Sequence, residues 1–130
     1  MSVHEPQASI RTTAAQTFME EHYATIGAIT DVATALGVPY ESLRKEFART
    51  MGIPMNTYLH RVRMNAAKDL LHKGGMKLYA IAREVGYSDE IALIRHWKQT
   101  FGNSPSQYRT ANGLVREPEL IYVTRWSVAA

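Results

Sequence analysis

Apolar residues recur in the middle of this chain at helical spacing, and they do so twice. Leu43, Phe47 and Met51 stand at i, i+4 and i+8, and Leu93, Trp97 and Phe101 repeat that spacing fifty residues on. Each triplet predicts one buried stripe on an amphipathic helix, with the opposite face left to solvent or a partner. Upstream, Val32-Ala33 and Leu36-Gly37 pair with Ile81-Ala82 and Val85-Gly86 at an offset of 49; downstream, Gly52 and Tyr58 pair with Gly102 and Tyr108 at an offset of 50. A one-residue insertion between Gly86 and Leu93 accounts for the change. Each copy reads as a short helix with an inward alanine, a glycine at the turn and a second helix, the layout of a helix-turn-helix. The glycine supplies a left-handed backbone conformation and the alanine lets the two helices approach closely.

Between the copies, Pro54 to Lys73 predicts a linker helix with an apolar side of Tyr58, Leu59, Val62, Ala66, Leu70 and Leu71. At about 1.5 Å per residue it would hold the motifs roughly 30 Å apart, near the ~34 Å of one DNA turn. Residues 1–12 lack periodicity and predict a loose arm. A helix is expected from Ala14, with Ala14, Phe18, His22 and Ile26 covering the first motif and Gly27 ending it. Thr30 or Asp31 would cap a helix over Asp31 to Leu36, followed by Tyr40 to Met51. Gly74-Gly75 stops the linker. The second motif then runs from Leu78 to Gly86 and from Asp89 to Phe101, with Ser88 or Asp89 as cap. Ser104-Pro105 opens a last short helix through Arg109. The expected organisation is therefore all-α: an arm over 1–13, a double motif over 14–110 (first motif 29–52, linker 54–73, second motif 78–102) and a tail over 111–130. The tail segment ELIYVTRW fits a strand, a packed segment or a mobile end equally well.

Composition narrows the function. At 130 residues the chain holds one real core but not a sensor domain beside a reader. No apolar run approaches a membrane span and the N-terminus lacks a signal-peptide core, so a cytoplasmic protein is expected. The absence of cysteine removes disulfides, thiolate metal sites and a cysteine nucleophile. His4, His22, His60, His72 and His96 show no compact metal spacing. With no nucleophile-base pair or phosphate-binding glycine loop either, neither an enzyme nor a cofactor is expected. The net charge of +3 is uneven: residues 41–73 carry seven Lys/Arg against three acids and 74–116 six against three, while residues 1–40 carry one against four. A basic middle holding the duplicated motif fits a polyanion.

The double motif, the linker and the closing run GYSDEIALIRHWKQTFGNSPSQYR resemble the AraC/XylS family of transcriptional regulators. Gly86-Tyr87-Ser88-Asp89, Leu93, Arg95, Trp97-Lys98, Phe101-Gly102, Ser104-Pro105 and Tyr108-Arg109 fall in register with the family signature. The resemblance implies about seven helices in two subdomains bridged by a long helix, binding double-stranded DNA at promoters. It resembles the members that consist of the DNA-binding unit alone, or a truncated form of longer ones. Carried over by position, the base-facing residues become Glu41, Arg44 and Lys45 in the first motif and Glu90, Ile91, Ile94 and Arg95 in the second. Ile91 and Ile94 depart from places that are often polar, and Trp97 replaces the usual Phe.

Arg44, Lys45 and Arg49 lie opposite the Leu43/Phe47 stripe. An arginine can donate two hydrogen bonds to guanine, so base contact is expected for Arg44, and a base or phosphate role for Lys45 and Arg49. Arg95 fits either a DNA contact or an ion pair with an acid such as Glu84. Lys98 is expected at a phosphate, as are the helix starts near Asn56 and Ser106. The leading expectation is a sequence-specific regulator that activates promoters by recruiting RNA polymerase, its oligomeric state open. The alternative is a module that keeps the fold but binds a protein through the Ile91/Ile94 face.

Overall fold

The computed structural model describes residues 5–114, which form seven α-helices and no strand. These are α1 (Glu5–His22), α2 (Thr30–Leu36), α3 (Tyr40–Met51), α4 (Met55–Lys73), α5 (Leu78–Val85), α6 (Glu90–Phe101) and α7 (Pro105–Ala111). The all-α expectation holds. The chain divides into two compact units, Met1–Arg63 and Met64–Ala130, the division falling within α4. None of the described helices is long and apolar enough to cross a membrane. The segment ELIYVTRW lies outside the described residues.

In the first unit α1 packs on α2 and α3, around Ala15, Met19, Ile26, Val32, Ala33, Leu43, Phe47, Met55 and Leu59. Burying a side chain such as Leu43 or Phe47 stabilises the fold by about 1.5 to 3 kcal/mol. Helix α1 corrects the sequence reading twice. It begins at Glu5, so most of the expected arm is helix, and its buried face is Thr12, Ala15 and Met19 rather than Ala14, Phe18 and His22. Pro6 is tolerated because first-turn N–H groups have no intrahelical acceptor. Ala14 and His22 are exposed, and Phe18 is half-buried with its ring 4.6 Å from that of His22.

The end of α1 differs as well. It stops at His22, whose carbonyl accepts from the Thr25 backbone N–H and hydroxyl, so Gly27 is not its terminator. Arg63, buried on α4, fastens the following loop by donating to the carbonyls of Tyr23 (2.9 Å) and Ile26 (2.8 Å). Asp31 does not cap α2 from in front. It sits in the first turn and accepts from the Ala28 N–H at 3.1 Å.

The turn between α2 and α3 closes with a paired hydrogen-bond motif: Gly37 N–H donates to Thr34 and Val38 N–H to Ala33. Between α5 and α6 the same pair recurs, Gly86 to Arg83 and Tyr87 to Ala82. Both glycines have positive φ, 71° and 111°, which this 6→1 and 5→2 pattern requires of the residue past the helix. The repeat read from the sequence is thus a repeat of backbone geometry.

In the second unit α5 packs on α6 and α6 on α7, and the buried side chains include Met64, Ala67, Leu71, Ile81, Val85, Leu93 and Trp97. Asp89 caps α6, its carboxylate accepting from Ala92 N–H at 2.9 Å. Ser104 and Gln107 form a reciprocal capping box on α7, with Pro105 in its first turn. Helix α4 starts at Met55, and Pro54 precedes it, its carbonyl accepting from Tyr58 N–H. Its buried apolar residues are Met55 and Leu59 in the first unit and Met64, Ala67 and Leu71 in the second. Of the expected apolar side only Leu59 and Leu71 are fully buried; Tyr58, Val62, Ala66 and Leu70 are intermediate, because a helix serving two units buries two short stripes instead of one long one.

Candidate nucleic-acid interface

Each second helix of a motif is anchored by one face. On α3, Leu43 and Phe47 are fully buried, and the Phe47 ring meets Tyr58 edge-on at 5.5 Å and 67°. On α6, Leu93 and Trp97 are buried, and Trp97 meets Tyr108 edge-on at 5.3 Å and 68°. The two tyrosines occupy equivalent positions in the repeat, so the same bracket holds both helices. Such pairs contribute about 0.5 to 1.5 kcal/mol beyond area burial. Their hydroxyls differ: Tyr58 donates to Glu20 and accepts from Gln16 (3.3 Å), while Tyr108 pairs with His72 Nε2 at 2.6 Å. Burial, with the Glu20 bond second, raises the Tyr58 phenol above its ordinary pKa.

A third tie fixes α3. Arg11 of α1 donates to Glu46 at 3.0 Å, and the other Glu46 oxygen is buried without a hydrogen-bond partner among the described residues. Neither this tie nor the Arg63 clamp is visible in the sequence, since Arg11 falls in the aperiodic stretch and Arg63 looks like one more surface cation.

With their inner faces occupied, the helices leave the expected contact residues outside. On α3, Glu41, Lys45 and Arg49 are exposed and Arg44 is intermediate; on α6, Arg95 and Lys98 are exposed, Glu90 and Ile94 intermediate, and Ile91 is 69% exposed. Asn56 and Ser106 stand exposed in the first turns of α4 and α7. Among the described residues, Lys45, Arg49, Arg95 and Lys98 make no ion pair, so the alternative pairing of Arg95 with Glu84 is not formed.

Among the described residues, two of these side chains share hydrogen bonds and an ion pair. Arg44 donates through Nε (3.2 Å) and Nη2 (2.8 Å) to one oxygen of Glu41, one helical turn back. That hydrogen bond, and secondarily the charge of Arg44, holds the Glu41 carboxyl below its usual range and raises Arg44 in turn. Both groups are therefore charged at neutral pH. No group of His, Asp and Glu side chains among the described residues could hold a metal ion. What the two helices offer instead is exposed cations with no ion-pair partner among the described residues, the chemistry that phosphates and guanine edges accept.

Comparison with known proteins agrees with this geometry. A family described as a helix-turn-helix domain matches residues 32–111. The Msm operon regulatory protein of Streptococcus mutans is 31% identical over 81 residues, 62% of this chain and 29% of its own length. The virulence regulon transcriptional activator VirF of Yersinia enterocolitica is 30% identical over 94 residues, 72% of this chain and 35% of its own. The chain thus spans about a third of the length of the curated relatives it matches. Among solved structures, the C-terminal domain of AraT, a response regulator from Geobacillus stearothermophilus, superposes with a TM-score of 0.73 at 26% identity, covering 78% of this chain and 84% of that one.

Proposed function

The chain belongs to the AraC/XylS family of helix-turn-helix regulators, and from that premise we propose that it reads double-stranded DNA at promoters and activates transcription there. The observation that carries the reading is the pair of bracketed helices, α3 and α6, each with a buried apolar face and, on the other side, cations that have no ion-pair partner among the described residues. Arg44 and Arg95 are assigned to base edges, Lys45 to a base or phosphate, and Arg49 and Lys98 to phosphates. Ile91 and Ile94 contact thymine methyl groups, and the helix starts at Asn56 and Ser106 meet phosphate oxygens. Activation is inferred from likeness to VirF, a transcriptional activator, and RNA polymerase is the partner we assign to it.

Tandem motifs in one chain need no two-fold axis, so the site is an asymmetric or direct-repeat sequence of roughly 20 bp spanning two major-groove segments. Footprinting on selected duplexes, with the mass of the complex measured by ultracentrifugation, checks this. Protection of a single groove segment at one chain per site would refute it.

The exposure of Ile91 supports a second reading, in which the Ile91/Ile94 face binds a protein. Ile94→Ser separates the two. Weaker DNA binding with reduced thymine preference favours base contact, whereas lost activation with intact DNA binding favours the protein interface.

A further inference from the structure

A guanidinium has two usable edges. Its side edge presents Nε–H beside one N–H of Nη2, and its end edge presents the other Nη2–H beside one of Nη1. In Arg44 the side edge is taken, since Nε and Nη2 both donate to Oε1 of Glu41, at 3.2 and 2.8 Å. The end edge has no partner among the described residues. Two parallel donors are what the O6 and N7 of guanine accept. We propose that Glu41 is a positioning residue for base readout: it grips Arg44 by the side edge so that the end edge meets a guanine, and it does not itself touch a base.

The proposal rests on the DNA-binding reading and sharpens it, because by family position Glu41 would be a base contact. Arg44 is 43% exposed and Glu41 68%, and among the described residues the Glu41 carboxylate is the one hydrogen-bond partner of the guanidinium. An arginine ordered before it meets the duplex loses less side-chain freedom on binding. The carboxylate also repels phosphates, and it does so whatever the sequence. Glu41 should therefore lower affinity for DNA in general and raise the preference for guanine at one base pair.

Competition binding tests this at the base pair that Arg44→Ala identifies. Glu41→Gln and Glu41→Ala are each expected to cut guanine discrimination there about two- to five-fold, the range an exposed ion pair can hold, while binding to random duplex is equal or tighter. In an Arg44→Ala background the same changes should leave base preference untouched. Unchanged discrimination in both single variants overturns the positioning role and leaves DNA reading standing. A preference shift that survives in the Arg44→Ala background also overturns it, since Glu41 would then contact a base directly. If the parent protein prefers no sequence at all, the DNA-reading function falls and this inference with it.

Discussion

Arg44 and Lys98 carry the same charge on equivalent helices, yet different consequences are expected of them. Arg44 is a planar fork held by Glu41, whereas Lys98 is an exposed ammonium with no ion-pair partner among the described residues. A fork discriminates base edges; a point charge meets phosphate and releases counterions without reading sequence. Arg44→Ala should cost about 1 to 3 kcal/mol on the preferred site and relax preference at one or two positions. Lys98→Ala should weaken every duplex alike and reduce the slope of log affinity against log salt by about one. Binding isotherms at several salt concentrations, on preferred and random duplexes, separate the two effects. A uniform loss for Arg44→Ala would move that side chain to the phosphates.

At the scale of elements, the turns and caps are where residue choice decides the fold. At Gly37 an added Cβ would meet nothing within 4 Å, so its φ of 71° is the whole obstacle to substitution. Gly37→Ala should lose about 1 to 2 kcal/mol in urea unfolding, and Gly37→Asn less, since asparagine tolerates the left-handed region. Asp89→Ala, which strands the Ala92 N–H, should lose about 0.5 to 2 kcal/mol. Equal losses for Ala and Asn at position 37 would show that something other than torsion is at work. These elements were legible because their signals are local: an alanine, then a glycine, then a stripe at fourfold spacing. The helix expected from Ala14 is present in α1, but its early start and its buried face were not legible, because Thr12, Ala15 and Met19 contrast little with the outer face and contact with α3 decides which side is buried. In the interface the outward cations could be read by elimination, opposite the apolar stripes. The spacing of Glu41 and Arg44 obeys the i,i+3 rule, but which guanidinium edge the acid takes is a matter of side-chain torsions that no sequence pattern records.

For the whole molecule, the correction at α1 changes what truncation should do. Removal of a loose arm over 1–13 would be harmless; removal of half a helix takes away Arg11 and Thr12 and leaves the Glu46 carboxylate without its cation. A chain starting at Ala14 should melt at least about 4 °C lower, as expected for a loss of 1 kcal/mol or more in a domain of this size. It should also bind DNA less well, because α3 loses a tie. An unchanged melting temperature would mean that the Arg11–Glu46 pair contributes nothing. The bracket around Trp97 has a further use. The first unit, residues 1–63, contains no tryptophan, while the indole of Trp97 lies sealed in the second, its Nε1–H donating to Asn103 at 3.1 Å. Indole emission from this protein therefore originates outside residues 1–63, and with Trp126 replaced by Phe it originates in α6 alone.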